Sequence, residues 1–276
     1  MTEQELGEGG SADSLGRRRR MLSFIRARDF VRVLDLSRQF GVSEVTVRSD
    51  LDILARDGGV RRVRGGVMGV RPNAAEQAFE ARIGTHADDK RSIATAAVDL
   101  VSSGDSVVLD VGTTTMAIAH ALADRSDLED LTVFTPGLNV ALALERAVPR
   151  LQVIVTGGAL RPQQHSLVES FSTLILERIR ASIAFVGCNG FDPELGVMAI
   201  SLPDAALKQA ILRAGRRRVV VADASKFTAA ALVGVCPFAD IDLVLTAGGP
   251  DPDAVAAMRE AGVEVRLCDE GAADAG

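Results

Sequence analysis

Two stretches of this 276-residue chain carry side chains spaced for chemistry. One is Gly112-Thr113-Thr114-Thr115, which follows the apolar run 107–111 and precedes a helical pattern expected from about Met116. Small and hydroxyl residues at a helix N-terminus bring several backbone N–H donors to one point. The helix dipole adds partial positive charge there, so such a turn favours a phosphate. An ordinary strand–turn–helix with Thr caps would have the same residues. Four further junctions are polar and Gly-rich: Thr135-Pro136-Gly137-Leu138-Asn139, Thr156-Gly157-Gly158, Gly187-Cys188-Asn189-Gly190 and Asp223-Ala224-Ser225-Lys226. Asp204 and Lys208 lie four apart on a helical stretch and share a face. A surface ion pair is one reading of that spacing. In the other, Lys208 or Lys226 offsets phosphate charge while Asp223, Asn139 and Asn189 bind hydroxyls. The chain has no Trp and no Tyr. A sugar ring therefore has neither to stack on, and recognition would depend on the phosphate and hydroxyl hydrogen bonds. Neither GxxxxGK[ST] nor GxGxxG occurs, which argues against a nucleotide triphosphatase and leaves a dinucleotide site without its fingerprint.

The second stretch is SEVTVRSDLDIL, residues 43–54. Gly41 precedes it in a short turn, and Ser43 is placed to cap a helix by accepting a bond from the Thr46 N–H. Val47, Leu51 and Leu54 recur at i, i+4 and i+7, so one face packs inward. Glu44, Thr46, Arg48, Ser49 and Asp50 are left for the other faces. A helix with short polar side chains and one Arg in its N-terminal half can lie in a major groove and meet base edges. An amphipathic surface helix would share the pattern.

The neighbouring sequence favours nucleic acid. Net charge is −6 overall, but residues 17–71 hold fourteen arginines against six acids, whereas residues 72–276 hold seventeen bases against twenty-seven acids. A basic head on an acidic body gives that asymmetry. Arg17-Arg18-Arg19-Arg20 opens a helix expected over 17–28, and its side chains could reach phosphates. Val31 and Val33 suggest a short extended approach to a second helix that ends at Gly41. Residues 60–67, Val60-Arg61-Arg62-Val63-Arg64-Gly65-Gly66-Val67, form a Gly-punctuated basic strand pair. Three helices and this hairpin make a winged helix-turn-helix.

Pro72 and two polar stretches mark residues 69–86 as a hinge. Beyond it, compact apolar runs at 107–111, 132–134, 153–155, 183–186, 219–222, 243–245 and 263–267 alternate with helical patterns. This predicts an α/β fold with a mainly parallel sheet covered on both faces. Ligands of such sheets bind outside the carboxyl ends of the strands, where the polar junctions fall. The three cysteines and three histidines are scattered without ligand spacing, so neither disulfides, a metal nor a cofactor is expected. No apolar run reaches membrane-spanning length, and the acidic N-terminus lacks the order of a signal peptide. The expected organisation is an acidic tail over 1–16, a DNA-binding domain over 17–68, a linker over 69–86, an α/β ligand-binding domain over 87–268 and a tail over 269–276, in a cytoplasmic protein.

Phe40-Gly41-Val42-Ser43, Thr46-Val47-Arg48, Asp50-Leu51 and Arg62-Val63-Arg64-Gly65-Gly66 together resemble the DNA-binding domain of the DeoR family of bacterial transcription regulators. Asp110-Val111-Gly112-Thr113-Thr114-Thr115, Leu138-Asn139-Val140-Ala141, Gly157-Gly158, Phe185-Val186-Gly187, Lys208 and Ala222-Asp223-Ala224-Ser225-Lys226-Phe227 resemble that family's C-terminal sensor domain. The resemblance implies a sensor fold similar to ribose-5-phosphate isomerase, a homo-oligomer, an operator as partner and a phosphorylated sugar as effector. The residues expected at DNA are Arg18, Ser43, Glu44, Thr46, Arg48, Ser49, Arg61, Arg62 and Arg64. Those expected at the effector are Gly112, Thr113, Thr114, Thr115, Asn139, Gly157, Gly158, Asn189, Asp204, Lys208, Asp223 and Lys226. The chain departs from the family pattern at Ser49, Arg64, Val111, Pro136-Gly137, Asp204 and near Ser182. The leading reading is a repressor of carbohydrate-metabolism genes that its effector releases from the operator. The alternatives are a sugar-phosphate isomerase carrying a DNA-binding head and an architectural DNA-binding protein without a ligand.

Overall fold

The computed structural model describes residues 17, 18, 20, 21, 24, 25, 30–56, 60–63, 66–69, 79–168, 170–229 and 231–268. The expected tails, residues 70–78 of the expected linker and Arg64 lie outside the described residues. The chain divides into two compact units, Met1–Ala75 and Glu76–Gly276.

In the first unit Arg17, Arg18, Arg20, Met21, Phe24 and Ile25 are helical. They are followed by β1 (Val31–Arg32), α1 (Val33–Phe40), α2 (Glu44–Arg56), β2 (Val60–Val63) and β3 (Gly66–Gly69). One core joins the helices, with Met21, Ile25, Leu36, Val47 and Leu51 fully buried. Each such side chain contributes about 1.5–3 kcal/mol. Phe24 and Phe40 close one end edge to face, with ring centroids 5.8 Å apart. α1 stops at Gly41, whose φ of 64° lies in the left-handed region that glycine occupies without a Cβ penalty. The Ser37 hydroxyl donates to the Val42 carbonyl at 2.6 Å and fixes the turn into α2. β2 and β3 pair antiparallel as the expected wing, and β1 adds a third strand through Val31↔Val67 and Arg32↔Gly66. Asp50 corrects the sequence reading. It does not face outward but is 3 % exposed, because Arg17 Nε lies 2.8 Å from its carboxylate.

The second unit opens with α3 (Phe79–Ile83) and α4 (Ala87–Val98). Within residues 69–86, expected as a hinge that enters a helix, α3 is helical, and Phe79 and Arg82 contact this unit while the residues around them are exposed. Phe79 is buried against the His165 ring, and Arg82 donates to Gln164 Oε1 at 2.8 Å. Then come β4 (Ser106–Leu109), α5 (Thr113–Asp124), β5 (Leu131–Thr135), α6 (Leu138–Leu144), β6 (Leu151–Val155), β7 (Ala159–Arg161), β8 (Ser166–Val168), α7 (Ser170–Leu176) and β9 (Ala181–Gly187). After β10 (Gly190–Asp192) and β11 (Gly196–Ala199) follow α8 (Leu202–Ala214), β12 (Gly215–Asp223), β13 (Val233–Cys236), β14 (Leu243–Ala247), α9 (Pro252–Glu260) and β15 (Glu264–Leu267).

All seven apolar runs become strands of one sheet, in the order β15-β14-β12-β9-β4-β5-β6, and every pairing in it is parallel. Alternate residues along each strand enter opposite layers, as a period of two requires. Val219 and Val221 pack with α4 and α5, whereas Val220 and Ala222 pack with α8 and α9. The hairpin β7–β8 and the antiparallel sheet β10-β11-β13 were not foreseen. The chain runs outward from β4 through β5 to β6, then returns to place β9 on the other side of β4. The helix after β4 and the helix after β9 lie on opposite faces, so β4 and β9 flank the switch point of the sheet, the place where ligands of such sheets bind. Among the described residues no helix is long and apolar enough to cross a membrane.

Candidate functional site

α2 presents the surface expected to read DNA. Ser43 Oγ accepts the Thr46 N–H at 3.2 Å, so the expected cap is formed. Val47, Leu51 and Leu54 are buried, which turns Ser43, Val45, Arg48 and Ser49 outward. Arg48 Nη2 rests 2.7 Å from Glu44 Oε2, and both side chains are largely exposed, so the guanidinium is held at the surface by a screened pair. Val45 is 73 % exposed and was not singled out from sequence. An outward apolar residue beside Arg48 is suited to a thymine methyl. On the wing, Arg62 pairs with Asp52 of α2. Arg61 lies in β2 with its side chain outside the described residues. Arg18 lies 3.7 Å from the Asp50 carboxylate, and its side chain is 20 % exposed.

The sensor crevice is built at the β4/β9 switch. α5 starts at Thr113, three residues earlier than expected, so Thr113, Thr114 and Thr115 form its first turn. Their backbone N–H groups precede any helical acceptor. Gly112 caps the helix, its carbonyl accepting both the Met116 N–H and the Thr115 hydroxyl. Thr113 and Thr115 are buried, while Thr114 is half-buried.

Beside this turn, Lys208 of α8 reaches Asp110 Oδ2 at 2.5 Å and Asp204 Oδ1 at 3.6 Å. All three residues are buried, so Asp204 and Lys208 are not the surface pair their spacing also allowed. The Gly187 N–H of β9 donates to Asp110 Oδ2 at 3.0 Å. Burial raises the Asp110 carboxyl above the ordinary aspartate value despite the opposing pull of Lys208. Burial by itself would lower Lys208, but Asp110 and Asp204 together outweigh it and hold the ammonium protonated. Asp110 was not a sequence candidate. An acid closing an otherwise apolar strand was the available signal.

Further along the carboxyl edge, Asp223 Oδ1 accepts the Ser225 N–H and hydroxyl, so it caps the turn that carries Lys226. Lys226 Nζ donates to Ser225 Oγ at 3.0 Å and lies 4.0 Å from Asp223 Oδ2. Lys90 of α4, also missed from sequence, is buried and donates to the Arg82 and Thr85 carbonyls. Desolvation lowers its pKa, and it feels both Asp223 and Lys226. Cys188, between β9 and β10, feels Lys208, Lys226 and Asp223, while burial pushes its thiol up to about 12. Asn189 follows it, half-buried, its N–H donating to the Met198 carbonyl. These residues form one polar stretch along the sheet edge.

Asn139 lies in the first turn of α6, after β5. Both its amide oxygen and its amide nitrogen are buried without a hydrogen-bond partner. Gly157 and Gly158 follow β6 and have a structural role. Gly158 has φ 128°, and a Cβ there would collide with the Val168 carbonyl, so the residue lets β8 pass closely. Ser182 lies at the opposite end of β9 and exchanges hydrogen bonds with Ser106. Among the described residues no group of three or more His, Cys, Asp and Glu could hold a metal ion.

The family model of the DeoR-like helix-turn-helix domain matches residues 17–72, and that of the DeoR C terminal sensor domain matches residues 85–247. A provisionally named aga operon transcriptional repressor of Escherichia coli O157:H7 is 33 % identical over 96 % of this chain and 97 % of its own length. The HTH-type transcriptional regulator GlpR of Haloferax volcanii is 31 % identical over 90 % of this chain and 96 % of its own. The glycerol-3-phosphate regulon repressor of E. coli K12 is 25 % identical over 90 % and 96 %. A solved D-ribose-5-phosphate isomerase aligns at 15 % identity over 50 % of this chain and 53 % of its own, with a TM-score of 0.38. That likeness is too remote to carry an argument. The sensor model alone spans more than half of the chain, and the helix-turn-helix model covers the basic head, so the chain belongs to the DeoR family of DNA-binding transcription regulators.

Proposed function

We propose that this protein represses carbohydrate-metabolism genes and leaves its operator when a phosphorylated sugar fills the sensor crevice. The observation that carries the reading is the polar lining at the β4/β9 switch. The α5 N-terminus, buried Lys208 and the unpartnered Asn139 amide stand at the carboxyl ends of neighbouring strands. The turn at 112–115 suits an anion, with Lys208 and Lys226 supplying positive charge. Asn139, Asn189, Asp204 and Asp223 offer hydrogen bonds to hydroxyls, and Gly157 and Gly158 shape the wall. The names of the relatives, an aga operon repressor and a glycerol-3-phosphate regulon repressor, support the substrate class.

On the other unit, Ser43, Thr46, Arg48 and Ser49 read bases, while Arg18, Arg61, Arg62 and Arg64 hold phosphates, with Glu44 orienting Arg48. Two copies of the chain place two such helices on two half-sites. The mechanism is linkage: an effector that favours one arrangement of the oligomer weakens operator binding, and the operator weakens effector binding by the same factor.

The test is a gel shift on DNA upstream of the protein's own gene, with a panel of sugar phosphates and their unphosphorylated sugars. Release by one phosphate ester alone supports the reading, and a shift that no ester alters removes the sensor assignment. Thr114→Glu places a carboxylate where the anion would sit. The variant should bind the operator normally and ignore the effector, and an unchanged response would move the pocket elsewhere.

A further inference from the structure

Among the described residues, three neutral side chains of the second unit hold buried polar atoms with no partner: the Asn139 amide and the hydroxyls of Ser166 and Thr246. Thr246 stands apart in β14; the other two are Asn139 and Ser166, and Ser166 is fully buried. Leaving such a group unsatisfied is unfavourable, because its water partners are lost and none replaces them. The two lie on adjoining segments. Gly137 bridges Ser166, the Leu138 N–H donates to the His165 carbonyl at 2.8 Å, and the Leu167 N–H donates to the Pro136 carbonyl at 2.8 Å. The turn that leads into Asn139 and α6 is thus laced to residues 165–167.

The same segment grips α3 with its other side chains. The His165 ring stacks edge to face on Phe79, with centroids 5.8 Å apart, and His165 Nε2 also meets the Glu80 carboxylate. Gln164 Oε1 accepts from Arg82. His165 is held at φ 48°, a left-handed conformation uncommon for a residue with a Cβ. α3 is the first described element after β3, so by chain continuity it is where the sensor unit meets the polypeptide that leads to the DNA-binding unit.

We propose that Ser166, together with Asn139, binds the hydroxyl-bearing end of the effector, and that residues 164–166 pass that occupancy to α3. The inference rests on the effector reading above and adds one binding residue and one route. The site takes an uncharged polyol or carbonyl end of a phosphate ester. Neither Asn139 nor Ser166 carries charge, and together they supply donors and acceptors for vicinal oxygens. Ser166 is sealed from solvent, so a hydrogen bond from a small molecule to its hydroxyl goes with a displacement of residues 164–166. That displacement acts on Phe79, Glu80 and Arg82 at once.

The experiment uses the full chain and two readouts, thermal stability and operator release. The probes are inorganic phosphate, glycerol 3-phosphate, ribose 5-phosphate and glucose 6-phosphate. In the wild type the best ester should raise Tm more than inorganic phosphate does. Ser166→Ala and Asn139→Ala should lose that excess and keep the response to inorganic phosphate. Without any ligand, Ser166→Ala should not lower Tm. A clear fall would mean that the hydroxyl has a permanent partner, and the proposal would fail. Arg82→Met and Glu80→Gln each loosen the grip of residues 164 and 165 on α3. They should bind the ester within about twofold of wild type, yet lose about fivefold or more of its effect on operator binding. Two chemically different variants are used so that a local packing defect in one does not decide the result. If both variants release the operator as wild type does, the route through 164–166 is wrong. If Thr114→Glu abolishes both responses while Ser166→Ala and Asn139→Ala change neither, the crevice assignment stands and this inference falls. A wild type whose Tm neither phosphate nor any ester moves contradicts the anion-sensing reading itself.

Discussion

Single residues in this protein divide into those that hold a charge inside and those that offer one outside. Lys208 belongs to the first kind. Its ammonium faces Asp110 and Asp204 in a buried site, so removing it leaves carboxylates without their cation. Lys208→Met should therefore destabilise the sensor unit by about 3–5 kcal/mol in denaturant titration. Asp110→Asn added to Lys208→Met should recover part of that loss, since the buried charge goes with it. A loss below about 1 kcal/mol for Lys208→Met would show that solvent reaches the pair. Arg48 is of the second kind. Its partner Glu44 is also solvent-accessible, so the guanidinium can exchange that contact for a base edge at little cost. Arg48→Ala should lower the ratio of operator to random-DNA affinity by about 1–3 kcal/mol, measured by competition binding at fixed salt. An unchanged ratio would move base reading off α2.

Elements were legible in the sequence where their environment is uniform. Each central strand is covered on both faces, so runs such as 219–222 and 243–245 are apolar without interruption and name themselves. Val47, Leu51 and Leu54 gave the inward face of α2 for the same reason. What stayed hidden depends on partners distant in the chain. β11 pairs with β13 through Val197↔Cys236 and Ala199↔Val233, and nothing local in Gly196-Val197-Met198-Ala199 predicts that neighbour. Asp50 is buried only because Arg17, thirty-three residues earlier, comes to meet it. Of the sensor crevice, the helix-start turn and the Asp204–Lys208 face could be read directly. Asp110 was passed over although it closes an apolar strand, and Lys90 gave no signal, because a lysine in a charged helix start looks like solvated surface. Gly158 shows how much an element can depend on one position. Gly158→Ala forces a Cβ toward the Val168 carbonyl at φ 128°, so the β7–β8 hairpin must shift. The expected cost is about 1–3 kcal/mol in the sensor unit, read from its thermal transition, with operator affinity unaltered when no effector is added.

At the scale of the whole molecule, two units with separate cores share one chain. Calorimetry of the full protein should resolve two transitions, and an effector ester should raise only that of the sensor unit. A single transition that moved as one would show that the cores melt together. The order of the strands has a further consequence, for the way the protein is made. Contacts of the first unit close within residues 17–69, whereas β4 lies between β5 and β9 in the finished sheet, and β9 begins seventy-five residues after β4 does. Such non-local parallel pairing is slow, and domains fold in the order in which they are synthesised. During translation the unit that grips the operator is complete before the unit that listens for the effector has its central strands. Under the proposed function, a nascent chain thus passes through an interval in which its DNA-binding unit is formed and its sensor unit is not.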